Sequence, residues 1–98
     1  MKKIKTEITF RNIEPTQALK EYVNEKIQVL KKYIHQDTDA KVVLNVEKNR
    51  QIAEIYFHSD GADFKSTEET IDMYKSIDQM IDVVARQVKK HKEKLTSH

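Results

Sequence analysis

The chain has no cysteine and no tryptophan, and only one glycine (Gly61) and one proline (Pro15) in 98 residues. Without cysteine there is no disulfide framework, no thiolate zinc site and no thiol catalysis. A single glycine and a single proline leave few places for a flexible linker, and no internal repeat or low-complexity tract interrupts the sequence. Apolar runs are short, and none approaches the roughly 20 residues that span a bilayer. The start, Met1-Lys2-Lys3-Ile4-Lys5, leads into alternating charged and apolar residues, unlike the unbroken apolar core of a signal peptide. An excess of one charge is also lacking. Eighteen Lys and Arg against sixteen Asp and Glu leave +2, so bulk charge gives a weak argument for a nucleic-acid partner. The expectation is one small cytoplasmic domain over residues 1–95 with a short tail at 96–98, and no membrane contact.

What the chain does have is periodicity. Between Lys3 and Arg11 the residues Ile4, Thr6, Ile8 and Phe10 share one parity, which predicts a strand with one buried face. Glu14-Pro15-Thr16 offers a helix start, with proline tolerated in the first turn. Leu19, Tyr22, Val23, Ile27, Leu30 and Ile34 follow at spacings of three and four, predicting an amphipathic helix over about 15–35. Val42, Leu44 and Val46, then Ala53, Ile55 and Phe57, mark two strands joined by a short basic turn, Lys48-Asn49-Arg50-Gln51. Asp60-Gly61 signals a second hairpin, leading to a short strand around Phe64 and Ser66. From about Thr70 a final helix places Tyr74, Ile77, Ile81, Val84, Ala85 and Val88 on one stripe, with Leu95 extending it. The fold class is α+β in the order β-α-β-β-β-α: a four-stranded sheet with both helices on one face. Its βββα part resembles double-stranded-RNA-binding domains, which read A-form shape.

The small net charge conceals a split along the chain. Residues 1–50 hold eleven bases and seven acids, residues 51–85 two and eight, and residues 86–98 five and one. The helix macrodipole favours acids early and bases late in the final helix, at roughly 0.3–1 kcal/mol each. It does not explain five mutually repelling bases at Arg86, Lys89, Lys90, Lys92 and Lys94, nor Lys20, Lys26, Lys31 and Lys32 on the first helix. Helices lying side by side would let these cations frame a shared groove. A phosphate backbone suits such a surface, because each neutralised phosphate releases condensed counterions. There is no RNP-type aromatic pair, GXXG loop or zinc knuckle, so the expectation is recognition of shape and phosphate.

Signs of catalysis are few. His58-Ser59-Asp60 contains hydrolytic residue types, but neighbours at a strand end diverge, whereas a triad converges from separate segments. Asp78 and Asp82 are one helical turn apart and read as solvated carboxylates; no histidine completes a metal set. His91 and His98 lie in or beside the basic cluster, and His35 ends a helix. No P-loop, GxGxxG or GxSxG is present. The aromatic residues fall largely on positions expected to face the core and call for no cofactor. The reading is a binding protein that is not an enzyme.

Four segments carry a closer likeness: Ile13-Glu14-Pro15-Thr16-Gln17-Ala18-Leu19-Lys20-Glu21-Tyr22-Val23, Val42-Val43-Leu44-Asn45-Val46-Glu47-Lys48, Asp72-Met73-Tyr74-Lys75-Ser76-Ile77-Asp78, and Arg86-Gln87-Val88-Lys89-Lys90-His91-Lys92-Glu93-Lys94-Leu95. In this order they resemble the ribosome hibernation promoting factor family, which includes the ribosome-associated inhibitor A proteins and was once described as modulators of an alternative sigma factor.

The resemblance implies a β-α-β-β-β-α domain that binds the small ribosomal subunit in stationary phase or stress. It would occupy the channel of the mRNA and the A- and P-site tRNAs, blocking translation by occupancy. It implies 16S rRNA contacts from Lys20, Lys26 and Lys32 and from Arg86 and Lys90; Lys89, Lys92 and Lys94 extend the patch by charge. Relatives often carry lysine where this chain has Val83, so one phosphate contact is expected to be missing. The short ending, Lys94-Leu95-Thr96-Ser97-His98, resembles the short form, or a long form cut short. Short-form relatives act with a small ribosome modulation factor to pair 70S ribosomes into 100S dimers, and a monomer is expected off the ribosome. The competing expectation, from another class, is a protein-interaction module or transcriptional modulator that docks a basic partner through the acidic 51–85 segment.

Overall fold

The structure is a computed structural model and describes residues 3–96. Strand β1 (Ile4–Arg11) is followed by helix α1 (Gln17–Lys26), a 3₁₀ segment (Ile27–Lys32), strands β2 (Thr38–Glu47), β3 (Arg50–Ser59) and β4 (Ala62–Thr70), and helix α2 (Met73–Thr96). The sheet order is β1-β2-β3-β4. The first pair is parallel, with Ile8 opposite Val42, and the other two are antiparallel hairpin pairs. The α+β class and the element order are as the periodicity predicts. The tail expected over 96–98 lies, after Thr96, outside the described residues, as does His98.

The core lies between one sheet face and the helices. Ala40, Val42, Leu44, Ala53, Ile55, Phe57 and Phe64 meet Leu19, Val23, Ile27, Leu30 and Ile34 from the first helical region and Met73, Ile77, Met80, Ile81, Val84 and Val88 from α2. Each aliphatic side chain taken fully out of water contributes about 1.5–3 kcal/mol. Edge strand β1 keeps Ile4, Ile8 and Phe10 only half-buried against this cluster.

Several boundaries differ from the sequence expectation. Pro15 stands outside α1; Thr16 is the cap, its hydroxyl accepting from Leu19 N–H at 3.1 Å. The expected 15–35 helix is α-helical only to Lys26 and then tightens. Ile27 and Leu30 are both buried three residues apart, which is the period of a 3₁₀ turn. The first hairpin turn is just Lys48-Asn49, since Arg50 already pairs with Glu47. Lys48 adopts φ 56 there. The last strand is not short: β4 pairs with β3 from Ser59↔Ala62 to Gln51↔Thr70. That run includes Thr67, whose hydroxyl donates to Glu54 across the pair at 3.1 Å. Thr70 therefore belongs to β4, and α2 starts at Met73 beneath Asp72, whose carboxylate accepts from Tyr74 N–H at 2.9 Å. At Asp60-Gly61 both residues take positive φ, 51° and 77°, as a tight two-residue hairpin demands.

Tyr74 is not a core residue. It is 41 % exposed, its ring set edge-on against Tyr22 with centroids 4.8 Å apart. Tyr56 is exposed too, on the open face of the sheet. Spacing admits Tyr74 to the apolar stripe of α2, whereas Tyr56 has the parity opposite to Ala53, Ile55 and Phe57 and its hydroxyl donates to Asp63 at 3.0 Å.

Candidate nucleic-acid interface

The interface is assembled from two helices lying together on the sheet. Tyr22 on α1 joins them: its hydroxyl donates to Asp78 of α2 at 2.6 Å. That hydrogen bond, together with burial and the charge of Asp78, pushes the phenol up to about 12. Lys26 lies over the Tyr22 ring, 5.3 Å from its centroid. Beside it a groove between the helices is lined by Lys26, Val29, Asp78, Ile81 and Asp82. Farther along, Lys92 Nζ donates to the main-chain carbonyl of Lys32 at 3.3 Å, so the end of the 3₁₀ segment and the last turns of α2 touch. Lys89, one helical turn before Lys92, shares that flank of α2.

The remaining cations take other positions in the helical layer. Lys20 sits one turn before Asn24, whose side-chain oxygen accepts from the Thr6 hydroxyl, so Lys20 lies on the flank nearest edge strand β1. Arg86 and Lys90 line a shallow depression with Val83 and Gln87 on the opposite flank of α2, where Gln87 donates to the Lys65 carbonyl of β4. Arg86 also donates from Nε to the Asp82 carbonyl at 3.3 Å. Lys94 is exposed near the end of α2. The cations thus ride on one layer, but they do not all frame one groove: Lys26, Lys32, Lys89 and Lys92 lie along the helix junction, with Lys20 and the Arg86–Lys90 pair on its two flanks. Helical phase explains this. Lys20 and Lys26 are six residues apart, so they point to different sides of α1.

Among the described residues none of Lys20, Lys26, Lys32, Arg86, Lys89, Lys90 and Lys94 forms an ion pair. The acids of segment 51–85 are differently placed. Glu54, Asp63 and Glu69 are on the open sheet face, Asp72 caps α2, Asp78 holds Tyr22, and Asp60 lies in the β3–β4 turn. They do not form one acidic surface.

The hydrolytic residue types at 58–60 separate. His58 Nδ1 donates to Asp63 at 2.8 Å, Ser59 is buried beside the Thr38 hydroxyl, and Asp60 faces His35. No cluster of three metal-ligating side chains exists among the described residues, and no helix there is long and apolar enough to cross a membrane. Sequence reasoning missed the Lys26–Tyr22 stacking and the approach of Lys92 to Lys32; the latter links residues 60 apart, and no local pattern encodes it.

Fold and surface define a class: a small α+β domain whose unpaired cations are carried by two helices, suited to an extended anionic partner. Residues 6–96 match the family described as sigma 54 modulation protein / S30EA ribosomal protein. The chain is 41 % identical over 91 residues to the ribosome hibernation promoting factor of Salmonella typhimurium, covering 93 % of this chain and 96 % of that one. The Escherichia coli (strain K12) protein of the same name matches with the same identity and coverage. The N-terminal domain of Thermus thermophilus Protein Y superimposes with a TM-score of 0.83 at 34 % identity, over 91 % of this chain and 98 % of that one. A ribosomal subunit interface protein from Coxiella burnetii shares the fold, with a TM-score of 0.79 at 20 % identity over 89 % and 96 % of the two chains. The chain belongs to the S30EA ribosomal protein family, whose members include the ribosome hibernation promoting factors; it is not a family of enzymes.

Proposed function

We propose that this protein is a cytoplasmic ribosome hibernation factor whose residues 1–95 act as one binding unit on the small ribosomal subunit. Lys20, Lys26, Lys32, Arg86, Lys89, Lys90, Lys92 and Lys94 meet 16S rRNA phosphates, and the domain occupies the path of mRNA and of the A- and P-site tRNAs. Translation stops because the site is filled, and the silenced 70S particles go on to pair as 100S dimers, with a ribosome modulation factor acting alongside. The observation that carries this reading is the set of exposed cations on the helical layer, Lys20, Lys26, Lys32, Arg86, Lys89, Lys90 and Lys94, that have no carboxylate partner among the described residues, in a chain about two-fifths identical to named hibernation factors. An exposed lysine that no intramolecular acid neutralises loses little on meeting a phosphate and gains the release of a counterion.

Co-sedimentation with vacant 30S subunits and 70S ribosomes at low and moderate salt tests the proposal. The expected result is stoichiometric binding that excludes initiator tRNA and mRNA. Absence of binding even at low salt would overturn it. The interaction-module alternative, which needs a continuous acidic face on 51–85, gains no support from acids spread over the sheet, the α2 cap and the helix junction.

A further inference from the structure

Two histidines and one aspartate converge where the 3₁₀ segment, the β3–β4 turn and the last turns of α2 meet. His35 Nδ1 lies 3.6 Å from Asp60 Oδ2. His91, on α2, donates from Nε2 to the main-chain carbonyl of Asp60 at 3.2 Å and sets its ring edge-on against Phe64, with centroids 5.6 Å apart. One imidazole therefore faces the side chain of Asp60 and the other holds its backbone. Asp60 itself takes φ 51° in the β3–β4 turn.

The cluster sits among the cations of the candidate interface. Lys32 precedes His35 by three residues, Lys92 follows His91, and these two lysines approach each other at the Lys32 carbonyl. The charged groups around it come from four elements. The 3₁₀ segment brings Lys31 and Lys32, and α2 brings Lys90, Lys92, Glu93 and Lys94. The loop before β2 brings Asp37, whose carboxylate accepts from the Lys3 N–H at 2.8 Å. On β4, Asp63 is turned to the opposite sheet face, held there by Tyr56 and His58.

We propose that His35 and His91 are proton-dependent members of the phosphate-binding surface, with Asp60 as the charge they overcome. The inference rests on the ribosomal reading above and concerns the regulation of that site. With both imidazoles neutral, the cluster carries the single negative charge of Asp60 and subtracts from the neighbouring lysines. With both protonated it carries one positive charge and adds to them, a swing of two charges beside a phosphodiester backbone. Imidazole is the side chain whose ordinary charge change falls between about pH 5 and 8. The bound state then holds more protons than the free state, so acidification favours binding.

The test is the affinity for vacant 30S subunits between pH 8.0 and 6.0 at constant ionic strength, for wild type, His35→Gln, His91→Gln and the double variant. Wild-type binding should tighten about three- to tenfold between pH 7.5 and 6.0. The double variant should stay within about twofold, which measures the ribosome's own drift with pH. Should His91→Gln lose the fold through its contact with Phe64, His35→Gln alone decides the matter, because it removes an exposed ring and should cut the pH response by about half. Asp60→Asn keeps a residue type that accepts positive φ, and it should bind more tightly than wild type at pH 7.5. A pH response unchanged in these histidine variants, or an Asp60→Asn variant that binds no better, would overturn the inference while the ribosomal reading stands. Absence of binding by wild type at every pH would overturn both.

Discussion

The two large surfaces of this domain handle charge in opposite ways. On the β3–β4 half of the open sheet face, ions are matched within the molecule. Arg50 bridges Glu47 at 3.1 Å and Glu69 at 2.8 Å, His58 meets Asp63 at 2.8 Å, and Lys65 lies 4.0 Å from Glu54. On the helical layer Lys20, Lys26, Lys32, Arg86, Lys89, Lys90 and Lys94 have no carboxylate partner among the described residues, while Asp72 caps α2 and Asp78 ties α2 to α1. A self-neutralised face offers little to a polyanion, because a phosphate would have to displace a partner already in place. A face of unmatched cations offers counterions to release. Net charge hides this difference; the pairing pattern exposes it.

The comparison breaks most completely if the core that sets the two surfaces back to back is removed. Ile77 is fully buried between the sheet and α2. Ile77→Asp should therefore cost more than about 4 kcal/mol, against a stability of roughly 5–15 kcal/mol for a domain of this size. Circular dichroism and thermal melting should show a chain that is unfolded or nearly so, with both surfaces lost together.

Charge reversal tests the surfaces separately. Arg86→Glu with Lys90→Glu should weaken binding to 30S subunits by about a hundredfold or more, since two phosphate contacts become two repulsions. The matched change on the sheet, Lys41→Glu with Lys65→Glu, alters the net charge equally and should shift affinity by less than about threefold at moderate salt, through screened long-range terms alone. Filter binding or sedimentation reads both. Equal losses would mean that overall charge, and not the helical layer, governs recognition. A finer version uses salt: four to six of the eight cations neutralising a phosphate at once predict a log–log slope of about −3 to −5, and Lys20→Gln should reduce its magnitude by about 0.7–0.9.

How much of this was legible in the sequence depended on range. Strand parity in β1 to β3 and the spacing of Ile77, Ile81, Val84 and Val88 announced the fold, because burial on one face enforces a period. The change from α-helix to 3₁₀ at Ile27 was not legible, since Ile27, Leu30 and Ile34, spaced by three and four, fit a 3.6-residue period. The full length of β4 was obscured because Thr67, Glu68, Glu69 and Thr70 carry little apolar signal; their place is secured by pairing with β3. For the interface, sequence supplied the cations and their helices. Their division between the helix junction and its two flanks follows from helical phase and from how α1 docks, and neither was visible in charge counts. The meeting of His35, Asp60 and His91 joins three segments distant in the chain and needed coordinates.

The mildest prediction concerns the sheet face alone and sharpens what its pairing is for. Hydrogen bonds from His58 and then Tyr56 hold the Asp63 carboxyl below its ordinary value of 3.8, and the Arg50 hydrogen bond holds Glu69 below 4.5. Because these carboxylates bind protons less readily folded than unfolded, their contribution is fully present above the ordinary carboxylate range. It is lost as pH falls through that range to the lower folded values. Both groups are exposed, so the effect on stability is small. Glu69→Gln should lower the melting temperature slightly at pH 7 and flatten its decline with acid below about pH 4.5, without moving 30S affinity beyond about twofold. Loss of affinity in this variant would show that the sheet face takes part in binding, and the division of labour between the two surfaces would have to be redrawn.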